Sequence, residues 1–247
     1  AAVTLGDPIG PPADAPAAIA GFQDYCRQND WQPAFYQTLP DYLDYYKAAG
    51  FAVLPIGEEA IVDVATFTLE GKDWKKHRKI LNRFISEGYR TEVCPPPLSM
   101  ELLRELRAVS DEWLTLMHGT EKRFSLGWFD DDYIGNGPVM IVRAPDGTVT
   151  AFANLLPEYQ LNESTIDLMR HRQDVADGTM EFLFLALFQW AHEQGYASFN
   201  LGLSSFAGVG EHSDDVLVER ALHYIYEHIN QFYNFAGLQL FKDKFHP

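Results

Sequence analysis

Basic residues concentrate in one short window of an otherwise acidic chain. From Lys72 to Arg90 there are seven lysines and arginines against two acidic residues, so this window carries +5 and the rest of the chain −21. Lys75, Lys76 and Lys79 lie close together on a helix predicted there. Such a patch binds the phosphates of a polyanion, while the acidic body repels nucleic acid elsewhere. The same residues are also typical of a solvated helix face, and both interpretations stay open.

A carboxylate and a guanidinium group stand three residues apart at Asp167 and Arg170. On a helical turn, side chains at this spacing lie on one face, and we predict that these two do. Taken alone, the pair is an ordinary ion pair of a helix surface. A catalytic role for it needs support from elsewhere in the sequence.

Several common catalytic motifs are absent. The sequence has no GxxxxGK[ST] phosphate loop, GxGxxG dinucleotide turn, HExxH zinc helix or GxSxG nucleophile elbow. No two histidines pair at metal-ligand spacing in the HExxH manner, with a catalytic carboxylate between them, and neither Cys26 nor Cys94 has a histidine near it in sequence. We therefore expect no metal, no cofactor and no thiol nucleophile. Two cysteines also exclude a disulfide framework and indicate a reducing compartment.

The segment at residues 174–181 argues against coenzyme A as a donor. An acetyltransferase of the GNAT type cradles the CoA pyrophosphate in a glycine-rich turn at a helix N-terminus. The corresponding turn here contains Asp174, Asp177 and Glu181, whose negative charge would repel a pyrophosphate. If the topology is of this type, the acyl donor is held by something other than CoA phosphates.

Size and composition are those of an ordinary globular protein. The 247 residues suffice for one large domain or two small ones, and 47% hydrophobic with 22% charged residues excludes a disordered chain. No apolar run reaches the roughly 18 residues that a membrane span needs, and no secretory signal is recognisable at the start. Because the chain opens without methionine, we interpret it as a piece of a longer protein.

Hydrophobic periodicity predicts the elements of the first half. Helices are predicted at 16–29 and 39–50, and strands at 33–37, 51–56 and 60–68, the last two forming a hairpin. The basic window forms a helix at 73–86 and a strand at 90–94. Three prolines at 95–97 then mark the clearest boundary, because they cannot continue a helix or a central strand.

The second half repeats a similar order of elements. Ser99 caps a helix, strands follow at 139–143 and 148–156, and a polar loop leads to a helix at 180–194. A strand at 197–203, a helix at 216–230 and an aromatic and basic tail at 235–245 complete it. This order predicts an α/β (α+β) fold of two tandem GNAT-like acyltransferase domains packed together, at residues 1–97 and 98–247.

Segments along almost the whole chain carry a family resemblance. They are GDPIG at 6–10, FSLG at 124–127, DLMR at 167–170, GTMEFLF at 178–184, WA at 190–191, GY at 195–196, FNLG at 199–202, FYNF at 232–235 and FKDKFHP at 241–247. With these segments the chain closely resembles the C-terminal soluble catalytic domain of the bacterial aminoacyl-phosphatidylglycerol synthases, the multiple peptide resistance factor family.

The resemblance implies an aminoacyltransferase. Such a protein transfers lysine or alanine from aminoacyl-tRNA to phosphatidylglycerol, which lowers the negative charge of the membrane and gives resistance to cationic antimicrobial peptides. Ester is exchanged for ester, so no ATP and no cofactor is expected. The implied partners are aminoacyl-tRNA, phosphatidylglycerol and an N-terminal transmembrane domain of flippase type, at the cytoplasmic face of the bacterial membrane.

The resemblance also implies that Asp167 and Arg170 belong to the active region, and we place the catalytic residues in the second predicted domain. Asp167 would bind the donor's α-ammonium group or accept a proton from the lipid hydroxyl, and Arg170 would hold a phosphate of the lipid or the tRNA. Lys242 would stabilise the developing oxyanion or the lipid phosphate. The substrate-binding candidates are Glu181, Asn200 and Tyr133, and those facing tRNA or lipid headgroups are Lys75, Lys76 and Lys79.

Two alternative functions stay open at this point. A tandem-GNAT peptidyltransferase would place the amino acid on a peptidoglycan precursor and make an amide, which resists mild alkali where a lipid ester does not. A noncatalytic lipid- or tRNA-binding module would bind without turnover.

Overall fold

The chain divides into two units, each of which combines two segments. The first comprises Ala1–Glu58 with Ser204–Ala236, and the second comprises Glu59–Leu203 with Gly237–Pro247. The structure, a computed structural model, describes residues 1–117, 119, 121, 127–157, 159, 161–205 and 235–247. The mixed α/β class predicted from the sequence is confirmed.

The described part of the first unit is a small αβ layer. Strand β1 (Ala2–Leu5) pairs in parallel with β2 (Pro33–Tyr36), and the helices are α1 (Ala15–Gln28) and α2 (Leu43–Ala48). Helix α1 buries residues 15, 19 and 26, which share one face at helical spacing. The ring of Phe35 contacts the rings of Phe22, Tyr46 and Phe51, with centroids 4.7–5.3 Å apart.

The second unit is built on a six-stranded sheet. Its strands are β3 (Gly57–Asp63), β4 (Arg90–Cys94), β5 (Val139–Arg143), β6 (Val149–Pro157), β7 (Glu163–His171) and β8 (Ser198–Ser205). They lie in the order β3-β8-β7-β6-β5-β4. The pairs β4–β5, β5–β6 and β6–β7 are antiparallel, whereas β7 and β8 run parallel.

Helices cover both faces of this sheet. On one face lie α3 (Lys75–Ser86), α6 (Thr179–Glu193) and α7 (Phe235–Asp243), and on the other lie α4 (Met100–Leu116) and α5 (Asp131–Gly135). Strand β6 contributes to both layers: Ala151 and Ala153 pack with the aromatic residues of α6, and Phe152 packs with Leu106 of α4. Alternating side chains of a strand point to opposite faces, so burial on both sides explains the apolar character of β6.

The cap predicted for α4 is confirmed. Ser99 Oγ accepts the backbone N–H of Leu102 at 3.2 Å, which satisfies one of the free amides at the start of the helix. Within the described ranges, no helix has the length and apolar character required to cross a bilayer.

The hairpin predicted at 51–68 is wrong. Residues 51–56 form no strand, and the Gly57–Glu59 turn predicted there belongs instead to β3. Phe51 packs its ring on Phe35 and Tyr46 rather than pairing with a neighbouring strand. The apolar ring of Phe51, which suggested a strand, therefore serves to pack against neighbouring aromatic rings and not to form a strand.

The polar loop predicted before α6 is also wrong, because residues 163–171 form β7, at the centre of the sheet. The domain boundary predicted at residue 97 stays a prediction. Strand β4 precedes the three prolines yet pairs with β5 in the same sheet. The helix predicted at 216–230 lies outside the described residues.

Candidate active site

A β-bulge in β7 positions Asp167. Ala153 pairs with Met169 and Leu155 with Ile166, so two steps along β6 oppose three along β7. The extra residue lies at Asp167–Leu168, opposite Asn154. Asn154 Oδ1 accepts the Leu168 N–H at 2.6 Å, which satisfies a backbone donor in the irregular part of the pairing.

Two donors hold the Asp167 carboxylate in one orientation. The backbone N–H of Gly127 donates to Oδ1 and the hydroxyl of Tyr133 donates to Oδ2, each at 2.8 Å. Asn154 Nδ2 in turn donates to the Tyr133 oxygen at 3.3 Å. Each carboxylate oxygen has a second lone pair, so the group can accept a further hydrogen bond. The structure thus joins two of the predicted site residues, Asp167 and Tyr133.

The Tyr133 phenol stays neutral near physiological pH. Burial, followed by the hydrogen bond to Asp167 and its negative charge, raises the pKa of Tyr133 to about 12. Asp130 fixes this tyrosine from the other side, because its Oδ1 accepts the backbone N–H groups of Asp132 and Tyr133 at the start of α5. Tyr133 is therefore a fixed hydrogen-bond donor to Asp167.

Arg170 is buried and already paired. Its side chain is 3% exposed, and its guanidinium makes a bidentate ion pair with Glu121, at 2.9 Å to Oε1 and 2.7 Å to Oε2. It also donates to Ser110 Oγ and lies over the ring of Trp113, 5.2 Å from the centroid. Its N–H groups thus donate to two carboxylate oxygens and a hydroxyl of the protein itself.

The helical turn predicted for Asp167 and Arg170 is wrong, since both lie on β7. Residues three apart on a regular strand point to opposite faces. Here the bulge shifts the alternation by one residue, so both side chains contact the layer of α4, α5 and the segment between them. The predicted common face exists, but a strand irregularity produces it.

Lys242 is a buried lysine on α7. Its side chain is 4% exposed, and Nζ donates to the carbonyl oxygens of Gly202 at 2.8 Å and Leu203 at 3.0 Å. Burial lowers its pKa from 10.5 to about 8, although the charge of Glu59 opposes this effect. In the part of the chain that the structure describes, no carboxylate forms a salt bridge with this ammonium group.

Asp167 and the carbonyls that hold Lys242 lie at the same end of one strand pair. The parallel pairing of β7 and β8 runs from Glu163↔Ser198 to Thr165↔Asn200, and both strands continue beyond it. Asp167 lies two residues past the last pair on β7, and Gly202 lies two residues past it on β8. In α/β sheets, the carboxyl ends of parallel strands are the usual place for a ligand.

Asn200 and Glu181 make contacts within the protein. Asn200 Nδ2 donates to Glu59 Oε2 at 3.0 Å and to Glu163 Oε1 at 3.1 Å, next to the Lys242 site. Glu181 pairs with Lys244 at 2.6 Å, and this ion pair links the end of α7 to α6.

The three lysines of the basic window are exposed on α3. The opposite side of the helix buries His77 and Phe84 in the core, so Lys75, Lys76 and Lys79 all face solvent. The helix therefore presents a row of positive charges, as the sequence predicts.

Sequence reasoning missed three residues of this site: Glu121, Gly127 and Asn154. Gly127 lies in the FSLG segment, which the family resemblance already singled out. Nothing in the local sequence marks Glu121 or Asn154, because their partners Arg170 and Leu168 lie 49 and 14 residues away along the chain.

Comparison with known proteins identifies the family of the chain. Residues 1–247 match the family described as phosphatidylglycerol lysyltransferase, C-terminal. The phosphatidylglycerol lysyltransferase of Bacillus subtilis is 40% identical over 245 residues, 99% of this chain and 28% of that protein. The enzyme of the same name from Staphylococcus epidermidis is 34% identical over 247 residues, 100% of this chain and 29% of that protein.

A solved structure shows the same fold. The structure of L-PGS from Bacillus licheniformis has a TM-score of 0.85 and 40% identity, covering 99% of this chain and 74% of that one. The chain spans between a quarter and a third of the length of the curated relatives it matches.

Proposed function

The chain belongs to the family of the phosphatidylglycerol lysyltransferase C-terminal domain, and from this membership we propose that it transfers an aminoacyl group from aminoacyl-tRNA to phosphatidylglycerol. The relatives are named for lysyl transfer, which makes lysine the first donor to test. The product would carry a positive charge on its headgroup, which reduces the negative charge of the membrane and the attraction of cationic antimicrobial peptides.

The observation that carries this proposal is the end of the β7–β8 pair. There Asp167 lies on β7 beyond the last paired residue, and on β8 the carbonyls of Gly202 and Leu203, also beyond it, accept hydrogen bonds from Lys242. The Asp167 side chain faces the layer of α4 and α5, whereas Lys242 belongs to α7 in the opposite layer. An acyl transfer needs both kinds of group, one to handle a proton and one to stabilise negative charge on the carbonyl oxygen.

The reaction is an exchange of one ester for another. The lipid glycerol oxygen forms a bond to the aminoacyl carbonyl carbon, the bond to the ribose oxygen of the tRNA breaks, and the lipid hydroxyl proton passes to that ribose oxygen. Asp167 accepts this proton, directly or through water, or binds the donor's α-ammonium group. Positioning the two substrates lowers the barrier further.

Lys242 serves as the cation in this scheme. Its ammonium group stabilises the developing oxyanion or the lipid phosphate, and its low exposure strengthens that interaction. Arg170, whose guanidinium is paired with Glu121, acts by holding β7 and its neighbours in place. Asn200 and Glu181 stay candidates for substrate binding. Asn200 would act together with Glu163, to which it donates a hydrogen bond, and Glu181 together with Lys244, with which it forms an ion pair.

Helix α3 is the proposed contact for the donor. Lys75, Lys76 and Lys79 would bind phosphates of the tRNA acceptor stem, and anionic headgroups are the alternative for the same lysines. Because aminoacyl-tRNA is cytoplasmic, the reaction belongs at the cytoplasmic face of the membrane. The partners proposed there are phosphatidylglycerol and an N-terminal transmembrane domain of flippase type.

A direct assay tests the function. The protein is incubated with phosphatidylglycerol vesicles and, in separate reactions, radiolabelled Lys-, Ala- and Arg-tRNA, and label is measured in the extracted lipid. We expect alkali-labile label with wild type and a loss of it with Asp167→Asn at unchanged folding. Label in an alkali-stable amide would favour the peptidyltransferase alternative, and binding without turnover would favour a noncatalytic module.

A further inference from the structure

Glu121 connects two groups of residues near Asp167, through hydrogen bonds to Arg170 on one side and to Phe129 on the other. We propose that Glu121 is a positioning residue, which holds the segment from Gly127 to Tyr133 so that this segment orients the Asp167 carboxylate. The proposal rests on the catalytic role proposed above for Asp167.

The Glu121 carboxylate joins two parts of the chain. Its Oε1 accepts both Arg170 Nη1 at 2.9 Å and the backbone N–H of Phe129 at 3.1 Å, and its Oε2 accepts Arg170 Nη2 at 2.7 Å. Arg170 lies on β7, three residues after Asp167. One carboxylate therefore connects the strand that bears Asp167 to the segment that supplies its hydrogen-bond donors.

Phe129 is held in place by its side chain as well as by its bond to Glu121, and this fixes the backbone on either side of it. Its ring is buried against Phe152, with centroids 6.0 Å apart, and the guanidinium of Arg107 lies 4.7 Å from its centre. Gly127, two residues earlier, donates to Asp167 Oδ1. Four residues later, Tyr133 donates to Oδ2. Both donors of the carboxylate thus flank the residue that Glu121 holds.

A second ion pair of the same kind provides a matched control. Glu112 of α4 pairs with Arg172 at 2.8 Å and accepts the backbone N–H of Gln173 at 2.7 Å. Like Glu121, it links the α4 layer to the region of β7 with one carboxylate that also accepts a backbone amide. It has no hydrogen bond to residues 127–133 among the described contacts. A purely structural role predicts that each variant loses activity in proportion to its loss of stability, which is larger for Glu121 because Arg170 is 3% exposed and Arg172 26%.

The test compares Glu121→Gln with Glu112→Gln in two measurements. The first is steady-state aminoacyl transfer, with kcat and KM determined separately. The second is the ¹⁹F NMR signal of a fluorotyrosine incorporated at position 133, with Asp167→Asn, which removes the charged acceptor of the Tyr133 hydroxyl, as the reference for a weakened Tyr133–Asp167 hydrogen bond. The NMR measurement does not depend on activity, so it tests the positioning even if the proposed function fails.

We expect Glu121→Gln to lower kcat about 10- to 100-fold with KM for both substrates nearly unchanged, and to move the ¹⁹F signal toward that of Asp167→Asn. Glu112→Gln should change neither. In the Asp167→Asn background, Glu121→Gln should have little further effect on kcat, because both act on one group. If Glu121→Gln does not fold, the double variant Glu121→Gln/Arg170→Met replaces it. This variant leaves no unpaired buried charge, and its ¹⁹F signal should shift in the same way.

An unmoved ¹⁹F signal in a folded Glu121 variant would overturn the proposal. Losses of kcat in the two glutamine variants in proportion to their losses of stability would do so as well.

Discussion

A Cβ atom on Gly127 would lie 1.8 Å from Asp167 Oδ2 and 3.1 Å from the ring of Tyr133. Only glycine therefore lets the backbone approach closely enough to donate its N–H to the carboxylate. The need for glycine here comes from this close approach.

Gly127→Ala should displace the Asp167 carboxylate and lower the rate of aminoacyl transfer. A displacement of about 1 Å at a catalytic group costs about 100-fold in rate, and we expect a loss of that order in kcat. Gly137→Ala is the matched control, because a Cβ there meets no atom within 4 Å. Both variants are compared by transfer kinetics and thermal unfolding, and full activity of Gly127→Ala would contradict the assigned role.

The stability of the protein should depend on the ionisation of Lys242. Its pKa is 10.5 in the unfolded chain and about 8 in the native one. Between these values the unfolded state binds the proton and the native state does not, so the free energy of unfolding rises with pH. Relative to Lys242→Met, wild type should gain about 2–3 kcal/mol between about pH 7 and about pH 10.

Urea unfolding at several pH values measures this difference. Lys79→Met, which changes an exposed lysine of α3, controls for the general loss of one positive charge. A difference between wild type and Lys242→Met that stays constant across this range would show that the lysine titrates normally in the native state.

Removing the positive charges of α3 should weaken binding of the donor. Replacing Lys75, Lys76 and Lys79 by Ala should raise KM for aminoacyl-tRNA and reduce the slope of log K against log salt by about 2–3, because each phosphate contact contributes about 0.7–0.9. The value of kcat should change little. The measurement is transfer kinetics across a series of salt concentrations.

The control for this variant removes three other exposed positive charges, by Arg27→Ala, Lys47→Ala and Arg104→Ala. It should leave the salt slope near that of wild type. If the α3 variant loses affinity for phosphatidylglycerol vesicles but not for tRNA, the lysines face the lipid headgroups.

Asn154→Ala should destabilise the bulge in β7. The substitution leaves the buried N–H of Leu168 without its acceptor and removes the hydrogen bond to Tyr133, and an unsatisfied buried donor costs about 1–3 kcal/mol. Urea unfolding should show this loss, together with reduced transfer. Asn136→Ala, which removes an exposed amide hydrogen bond at the end of α5, should cost much less.

Helices α1 to α4 and α6, and most strands, were predictable because their patterns are local. The apolar spacing in α1, the Ser99 cap of α4 and the turn between β5 and β6 need only neighbouring residues, and the structure confirms all three elements. The basic face of α3 was likewise readable from the sequence. The resemblance at DLMR and FKDKFHP pointed to the family and to Asp167 and Lys242 as candidates.

Strand β7 was not predictable for a physical reason. The bulge at Asp167 breaks the two-residue alternation by which strands are recognised. Only the acceptor on Asn154, from the neighbouring strand, makes that irregularity stable.

By itself, the sequence determined which residues could act as acids, bases or cations and which segments form helices or strands, because residue type and local periodicity depend only on neighbouring residues. Tertiary structure decided how they are used. It paired Arg170 with Glu121 and gave Asp167 its donors from Gly127 and Tyr133. Such partners, 34 to 49 residues apart, meet only when the sheet and its covering layer pack together.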